Sequence, residues 1–316
     1  MDMFNKFLKR IKDITNGDKD LFVLMGLTYS CQCDCAHCGM AIYKKDKSVE
    51  LKTEEWLKII NSISKKTAKG IIFFGGEPLL RADLLKLIIA AKKRGFFVAI
   101  DTNGYLLAEI FVKELKNAGL DSCEISMDSI DPETHNKFRK LDNIFQKMQE
   151  GIKNCVIEKL DFSISTCATK DKIENGELKK IIDFAREMGA IGVRVLSPVL
   201  TGKWLEEDNL RIDDIARKSL KDILDGKFAY LEEKNCSVIN KKHIYISPYG
   251  EVQPCPYVPL SFGNANEESI ENIISRMYKS SLYKIKSKEC LMNDEKFRRG
   301  YLGDIKNSTK FPINSK

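Results

Sequence analysis

The sequence has few of the features that assign a protein to a class at first sight. Only three of its 316 residues are histidine. It has no apolar run long enough to cross a bilayer, and charged residues break up its N-terminus before a signal peptide's apolar segment can form. Lysine is spread along the chain without an arginine-rich stripe, so the net charge of +7 does not indicate a nucleic-acid surface. We therefore expect a cytoplasmic protein with neither a membrane span nor a nucleic-acid partner.

Cysteine, by contrast, is frequent: the chain has ten. In a reducing compartment so many thiols indicate metal binding rather than disulfides. The stretch from Cys31 to Cys38 reads CQCDCAHC. Zinc usually takes two ligand pairs from separate turns, and there is no second CxxC pair. The C-x3-C-x2-C spacing of Cys31, Cys35 and Cys38 lets one loop bind three irons of a [4Fe–4S] cluster and leaves Cys33 as a bystander.

The order of elements predicts the fold around this loop. Apolar, β-branched runs alternate with amphipathic runs over residues 20–205. The predicted strands are Phe22–Leu27, Gly70–Gly75, Phe97–Thr102, Cys123–Asp128, Phe162–Thr166 and Val193–Pro198. The predicted helices are Thr53–Lys65, Asp83–Arg94, Ala108–Ala118, Ile144–Glu158 and Glu177–Met188. Six β/α units predict a parallel sheet curled into a full or partial barrel, with the cysteine loop at its C-terminal face.

The two flanking regions have different patterns. Residues 1–19 place apolar residues at helical spacing opposite lysines, which predicts an amphipathic helix packed on the protein, with a membrane surface as the alternative. Residues 206–316 predict a smaller α+β domain that follows a linker helix. The predicted elements there are the helix Ile212–Leu224, the strands His243–Ile246 and Glu251–Gln253, and the helix Ser269–Tyr283.

A C-x3-C-x2-C loop after the first of six β/α units resembles the radical S-adenosylmethionine (radical SAM) superfamily. The resemblance covers roughly residues 20–200. It implies an α/β fold, a partial (β/α)6 TIM-like barrel, with a [4Fe–4S] cluster and S-adenosylmethionine (AdoMet) as cofactors. An electron from a flavodoxin- or ferredoxin-type donor would pass through the cluster and cleave AdoMet to a 5′-deoxyadenosyl radical, which abstracts a hydrogen atom from the substrate.

The resemblance also implies roles for residues around the cofactor. His37 stands where the family has an aromatic residue before the last cysteine. Gly75, Gly76 and Glu77 match the family element that contacts the amino group of the methionine moiety. Glycines allow the backbone to approach a ligand closely, and the Glu77 carboxylate is a suitable acceptor for an ammonium group.

Further implied cofactor residues end the later strands. Ser126 and Arg139 would hold the cofactor carboxylate, since a guanidinium fork matches a carboxylate. Asn103 and Asp128 would lie near the ribose or the substrate. Leu196 lies near the end of the sixth predicted strand and would also contact the cofactor, in a stretch that loosely resembles the strand-six loop of haem-modifying members.

A second set of cysteines lies in the C-terminal region. Cys236 and Cys255, with Gly250 between them, resemble the opening half of the SPASM and twitch domains that follow many radical SAM barrels. Cys290 would be a third ligand, and the shorter twitch form with one auxiliary [4Fe–4S] cluster is expected. The alternative is three unrelated buried thiols. Candidates for the fourth iron are Asp294, His243, a distant cysteine or the substrate itself.

The three remaining cysteines fall in predicted strands and helices. Cys123 and Cys155 are expected to be core residues. Cys167 ends the fifth strand, and by that position its thiol is a candidate catalytic residue that returns a hydrogen atom to a substrate radical.

Three functional hypotheses remain open from the sequence. The first is a maturase that crosslinks or epimerises a ribosomally made peptide, with a leader-binding module supplied by a separate protein. The second is the same radical chemistry on a small molecule such as an aminosugar, a tetrapyrrole or a nucleotide. The third is a non-catalytic iron–sulfur electron carrier, which would need the cysteines but not Glu77, Ser126 or Arg139.

Overall fold

The computed structural model describes residues 21–45, 48–232, 236–287, 289–303 and 313–314. The amphipathic helix predicted over residues 1–19 lies outside these ranges. Among the described residues, no helix is both long and apolar enough to cross a membrane. The strands are β1 (Phe22–Thr28), β2 (Gly70–Gly75), β3 (Phe97–Thr102), β4 (Ser122–Ser126), β5 (Asp161–Cys167), β6 (Val193–Leu196), β7 (Ala229–Leu231), β8 (His243–Ile246), β9 (Val252–Gln253), β10 (Leu260–Ser261) and β11 (Ile313–Asn314).

One sheet of nine strands carries the described part of the fold. Its order is β7-β6-β5-β4-β3-β2-β1-β8-β9, and β10 pairs with β11 separately. All neighbours from β7 to β8 are parallel, and β9 runs antiparallel to β8. The six predicted strands are confirmed, with ends that shift by one or two residues.

Helices connect the parallel strands, as a chain of β/α units requires. They are α1 (Thr53–Ser62), α2 (Leu84–Lys93), α3 (Glu109–Asn117), α4 (Pro132–Arg139), α5 (Ile144–Ile157), α6 (Lys170–Glu174), α7 (Glu177–Glu187), α8 (Asp214–Ile223), α9 (Ile270–Lys279) and α10 (Glu295–Leu302). Short 3-10 helices are Gly39–Lys45, Pro78–Leu80, Gly202–Trp204, Asp208–Leu210, Ser281–Lys284 and Leu291–Asn293. In α1, the buried residues Trp56, Ile59 and Ile60 recur at helical spacing and face the sheet.

Helix α4 was not predicted, although the sequence carries its start signal. Asp131 caps it by accepting a hydrogen bond from the Thr134 N–H, and Pro132 occupies the first turn. At the other end, the predicted helix Ser269–Tyr283 is shorter than expected. Helix α9 stops at Lys279 because Ser280 has extended backbone angles, and a 3-10 turn follows.

The C-terminal region is joined directly to the barrel sheet. Strand β8 pairs in parallel with β1, with Phe22 opposite His243. Strand β7 was not predicted, and it extends the other end of the sheet beside β6. Asn293 adds a side-chain link, since its Oδ1 accepts from the Leu200 N–H at 2.9 Å and its Nδ2 donates to the Pro198 carbonyl at 3.0 Å. The C-terminal region is therefore joined to the barrel at two places. Strand β8 contacts β1, and Asn293 contacts the loop that follows β6.

Candidate functional site

A cavity of about 220 Å³ opens at the carboxyl ends of the parallel strands, next to the loop that follows β1. Active sites of β/α barrels are built at this face from the loops after the strands. The structure brings most of the predicted site residues to this cavity. Those that line it are Cys31, Cys35, His37, Cys38, Gly75, Gly76, Asn103, Ser126, Asp128, Arg139, Cys167 and Leu196.

The cysteine loop is docked on the end of helix α4. The Asp34 N–H donates to the Arg139 carbonyl at 3.3 Å, and the Ala36 N–H donates to the Phe138 carbonyl at 2.9 Å. These bonds satisfy two backbone N–H groups of the loop, which would otherwise be shielded from water without a hydrogen-bond partner. They also place the Arg139 side chain against the thiols of the loop.

The thiols of the loop are coupled through Cys33. Hydrogen bonds from Cys33 lower the pKa of Cys31 to about 7 and the pKa of Cys35 to about 6. The same bonds, followed by burial, raise the pKa of Cys33, which therefore keeps its proton. Burial raises the pKa of Cys38. The Cys33 backbone N–H also donates to Cys31 Sγ at 3.4 Å, so Cys33 supports a predicted ligand, a role that the sequence did not indicate.

Nitrogen donors also approach the sulfur atoms. Asn103 Nδ2 lies 3.9 Å from Cys31 Sγ, and Arg139 Nη1 lies 3.7 Å from Cys35 Sγ. Among the described residues, no three His, Cys, Asp or Glu side chains converge closely enough to hold a single metal ion. Soft, partly ionised sulfurs with N–H donors beside them instead fit an iron–sulfur cluster, in which each thiolate binds its own iron.

The two glycines after β2 are required by the close approach of β1. A Cβ on Gly76 would lie 2.1 Å from the Ser30 carbonyl oxygen, and one on Gly75 would lie 2.4 Å from that of Thr28. Gly75 also has a φ of +133°, which side chains rarely allow. These glycines bring the start of the cysteine loop against the end of β2, where both line the cavity.

Glu77 is fully buried and turned toward β3. Its carboxylate accepts hydrogen bonds from the Thr102 hydroxyl at 2.8 Å, the Asn103 N–H at 2.9 Å and the Leu79 N–H at 3.1 Å. Burial raises its pKa to about 7. Glu77 is not among the residues that line the cavity, so in this structure it organises the ends of β2 and β3.

Asp128 and Arg139 form a buried ion pair at the cavity wall. Arg139 Nη2 lies 2.6 Å from Asp128 Oδ2, and Lys172 Nζ lies 3.1 Å from Asp128 Oδ1. Burial opposes ionisation, but these two cations hold the pKa of Asp128 well below its usual range. His135 accepts a hydrogen bond from the Asp128 N–H through Nδ1 at 3.2 Å, which fixes the turn that carries the carboxylate. With two cations and one anion, this end of the cavity favours a carboxylate ligand.

The loop after β6 closes over the cysteine loop. Trp204 and Phe138 flank the His37 ring, with centroid distances of 5.5 Å and 4.8 Å. Burial lowers the pKa of His37 to about 4, so the ring is neutral at pH 7. Gly202 permits this closure, because a Cβ there would lie 2.0 Å from the Cys38 carbonyl oxygen. The sequence marked this loop only weakly, through the stretch after Leu196 that loosely resembles haem-modifying members.

Three predicted residues stand at successive strand ends on the far wall. Ser126, Cys167 and Leu196 end β4, β5 and β6, and the register pairs Cys167 with Leu196. Burial raises the pKa of Cys167 to about 12, so its sulfur carries a proton at neutral pH. Cys123 and Cys155 are fully buried in the core, as predicted.

Sequence reasoning missed the charged residues inside the barrel. Asp101, Arg194 and Glu232 also line the cavity, together with His243. The available signal was a charged residue in the middle of each of two otherwise apolar strands, at Asp101 in β3 and Arg194 in β6. Glu232 follows β7, a three-residue strand that was too short to recognise.

The second cysteine set lies in the C-terminal region. Cys236, Cys255 and Cys290 are all buried, and none of the chain's ten cysteines forms a disulfide. Burial raises the pKa of Tyr283, and the neighbouring Tyr278 and then Cys255 and Cys236 raise it further. Cys290 precedes the short 3-10 helix that carries Asn293. Three buried thiols on three segments supply the soft donors that an auxiliary cluster needs.

Two candidates for the fourth auxiliary ligand have other contacts. Asp294 caps α10 by accepting a hydrogen bond from the Phe297 N–H at 2.9 Å. His243 faces the barrel cavity, and its Nε2 lies 3.2 Å from the Ser237 hydroxyl. Both side chains are therefore already engaged in the described structure.

Family models match both regions of the chain. The model of the radical SAM superfamily matches residues 25–185, and the SPASM model, an iron–sulfur cluster-binding domain, matches residues 236–296. The chain belongs to the radical SAM superfamily and carries a C-terminal domain of the SPASM type. These domains imply a [4Fe–4S] cluster, AdoMet and an auxiliary iron–sulfur cluster as cofactors, as the sequence predicted.

Curated relatives of this chain are enzymes with different substrates. An AdoMet-dependent heme synthase of Methanosarcina barkeri is 28% identical in an alignment 280 residues long, which covers 78% of this chain and 80% of the relative. A PqqA peptide cyclase of Granulibacter bethesdensis is 26% identical in an alignment 276 residues long, which covers 80% of this chain and 73% of the relative. The chain is therefore an enzyme, and these relatives leave its substrate class open.

The fold is shared with a solved structure. SuiB of Streptococcus suis bound to its precursor peptide SuiA superposes with a TM-score of 0.68 at 16% identity, covering 89% of this chain and 69% of SuiB. At this identity the likeness shows the fold alone. It supports the predicted partial barrel.

Proposed function

We propose that this radical SAM enzyme removes a hydrogen atom from a ribosomally made peptide and so crosslinks or epimerises it. The observation that carries the proposal is the cavity, where the cysteine loop meets polar residues from the ends of β2 to β6. When bound, the cluster and AdoMet supply the one-electron chemistry that removes the hydrogen atom. The electron donor we expect is of the flavodoxin or ferredoxin type, and a leader-binding module would be a separate protein.

The residues of this chain have separate tasks in the proposal. Cys31, Cys35 and Cys38 would hold the cluster, and the Cys33 thiol would support it by hydrogen bonding. The Arg139 guanidinium and the Ser126 hydroxyl would bind the AdoMet carboxylate at the basic end of the cavity. The loop with Trp204 would exclude water from the reacting atoms.

Cys236, Cys255 and Cys290 would hold the auxiliary cluster in the C-terminal domain. The fourth position would be open to a ligand from the substrate, because Asp294 and His243 have other contacts. A peptide substrate is supported by the PqqA peptide cyclase relative, which spans most of this chain. The heme synthase relative supports a tetrapyrrole as the competing small-molecule substrate.

Cys167 would return a hydrogen atom to the substrate in an epimerisation. Its S–H bond would break as the substrate C–H bond forms, and the resulting thiyl would take one electron from the donor protein and a proton from water. Burial keeps this sulfur protonated, as such a transfer requires. We expect Cys167→Ala to abolish product while AdoMet cleavage continues, whereas Cys155→Ala, which removes a core thiol, should keep both. Undiminished product from Cys167→Ala would remove this role.

The proposed function can be tested before the substrate is known. Anaerobic, reconstituted protein is incubated with AdoMet, a reductant and extract from cells grown in deuterated medium, with the extract split into peptides and small metabolites. Deuterium should enter 5′-deoxyadenosine from the peptide fraction alone. Transfer from the small-metabolite fraction would favour the tetrapyrrole class, and no 5′-deoxyadenosine at all would contradict radical chemistry.

A further inference from the structure

The interior of the barrel is polar where such barrels are usually apolar. Bulky branched residues normally fill the inside of a β/α barrel. Here the register places Asp101 beside Glu124, Glu124 beside Ser163, and Arg194 beside both Ser165 and Tyr230. Since side chains alternate along a strand, these polar residues share one face of the sheet. That face is the one turned to the cavity, which Asp101, Ser165 and Arg194 line.

One cation in this polar interior faces three carboxylates. Arg194 lies 2.8 Å from Asp101, 3.3 Å from Glu232 and 3.7 Å from Glu124. The nearby His243 adds no charge, because burial lowers its pKa to about 4. Arg194 thus faces three carboxylates, while its Nε has no hydrogen-bond partner in the described structure. A carboxylate on a ligand would meet the charges of Asp101 and Glu232 here, and that of a partly ionised Glu124, since burial raises the pKa of Glu124 to about 7.

Two buried oxygen atoms, one on Glu124 and one on Thr201, have no hydrogen-bond partner in the described structure. Glu124 Oε2 accepts from the Ser163 hydroxyl at 2.7 Å, but Glu124 Oε1 is buried without a hydrogen-bond partner in the described structure. Thr201, which is 3% exposed and lines the same cavity, also has a hydroxyl without a partner. Buried polar atoms are normally paired, so the Thr201 hydroxyl indicates a group that a ligand in the cavity completes. Glu124 does not line the cavity and acts on it through Arg194.

The two ends of the cavity have opposite charge. Near the cysteine loop, Arg139 and Lys172 outnumber Asp128, which suits the AdoMet carboxylate. At the β3–β6 side, the carboxylates outnumber Arg194. A cationic ligand group is favoured at this second end, because it neutralises the excess and supplies N–H donors to the Asp101 and Glu232 carboxylates.

We infer that Asp101, Arg194 and Glu232, which line the cavity, form a substrate-recognition site for a cationic side chain, that of a lysine or an arginine, in the peptide, with Glu124 behind them on Arg194. This inference rests on the proposed function, whose peptide substrate it narrows to one with a basic residue near the reacting position. It places a substrate with several carboxylates, such as a tetrapyrrole with propionate groups, at a disadvantage in this cavity.

Matched peptides test this site by binding rather than by turnover. Full-length, reconstituted protein saturated with AdoMet is titrated anaerobically, in a calorimeter, with acetylated and amidated Gly-Lys-Gly, Gly-norleucine-Gly and Gly-Glu-Gly. The lysine peptide should bind about tenfold more tightly than the norleucine peptide, and the glutamate peptide should bind most weakly. Equal affinities, tightest binding of the glutamate peptide, or no binding of the lysine peptide would overturn the inference.

Variants at Glu232 separate recognition from structure. This side chain is 33% exposed and follows a strand end, so replacing it disturbs the core least among the three carboxylates. Glu232→Gln should weaken the lysine peptide about tenfold, and Glu232→Lys should reverse the order of the lysine and glutamate peptides. Asp183→Asn, which removes an exposed carboxylate of α7, should leave all three affinities unchanged.

Two further outcomes would count against the site. If Glu232→Gln weakened AdoMet and spared the lysine peptide, the carboxylates would belong to the cofactor pocket. If Glu232→Lys kept the lysine preference, the charge would have no part in recognition. Release of 5′-deoxyadenosine by the wild type is measured in parallel, so failure of the radical chemistry is seen separately from failure of peptide recognition. The wild-type titrations stand alone should a variant not fold.

Discussion

The two cysteine sites of this protein are built in opposite ways. The first lies within eight residues of one loop and is held by backbone bonds to the end of α4. The second takes its buried thiols Cys236, Cys255 and Cys290 from three segments that are far apart in the sequence. A local site leaves its signature in sequence spacing, while a dispersed site depends on the tertiary fold. The two should therefore respond differently to the same cysteine-to-alanine change.

The largest effect is expected in the loop. Cys35→Ala removes a predicted cluster ligand and the sulfur that Arg139 contacts, so 5′-deoxyadenosine release should fall to background. The measurement is chromatography of the AdoMet cleavage products from reconstituted protein. Cys33→Ala is the matched control in the same loop, and it should keep the cluster spectrum and most of the cleavage. Retained cleavage in Cys35→Ala would show that the loop does not hold the cluster as proposed.

A substitution in the second cysteine site should remove the auxiliary cluster but leave AdoMet cleavage at the first site intact. Cys236→Ala should lower the iron content by about half, because one of two four-iron clusters is lost. Slow AdoMet cleavage without substrate should continue, since the loop after β1 is intact. Iron analysis and 5′-deoxyadenosine release are measured on the same sample. Full iron content would remove Cys236 from the ligand set, and loss of both signals would show that the two sites depend on each other.

A smaller effect is expected at the basic end of the cavity. Arg139→Lys keeps the charge beside Asp128 but loses the planar fork, so AdoMet should bind about tenfold more weakly. Equilibrium dialysis with labelled AdoMet measures this. Arg81→Lys is the matched control, because Arg81 forms a similar fork on Asp83 outside the residues that line the cavity. Equal AdoMet affinity for wild type and Arg139→Lys would place the carboxylate elsewhere.

The smallest effect concerns acid stability around Asp128. Burial lowers the pKa of His135 to about 3, below the unfolded value of about 6.5. The unfolded chain thus binds a proton that the folded chain does not bind at the same pH. The free energy of unfolding therefore decreases as the pH falls below about 6.5. His135→Asn can still accept from the Asp128 N–H and does not titrate. Between pH 7 and pH 5, wild type should lose about 2 kcal/mol more unfolding free energy in urea than His135→Asn. Parallel losses would contradict this assignment.

Much of the fold and of the loop site was predictable because local patterns carry them. The alternation of apolar strands and amphipathic helices placed all six barrel strands, and the strand ends then placed Ser126, Cys167 and Leu196 around one cavity. Strand β7 could not be predicted, since three residues carry no periodicity. The pairing of β8 with β1 was also hidden, because a short strand does not reveal which distant edge it joins.

The charged interior shows another limit of sequence reading. Asp101 and Arg194 were visible as charges in apolar strands, but their partnership depends on strands β3 and β6 facing each other across the barrel. Glu77 shows the reverse case. Its motif was recognised, while its three hydrogen bonds to the ends of β2 and β3 became visible only in three dimensions.

The pairing of β1 with β8 has a consequence for how the molecule is made. A ribosome releases Phe22–Thr28 early, yet the neighbour of that strand, His243–Ile246, emerges more than two hundred residues later. During that interval the strand edge is open to pairing with other nascent chains. The long sequence separation also slows the pairing of β8 with β1 during folding. We therefore expect iron to enter the adjoining loop late in biogenesis, after translation has delivered the closing strand.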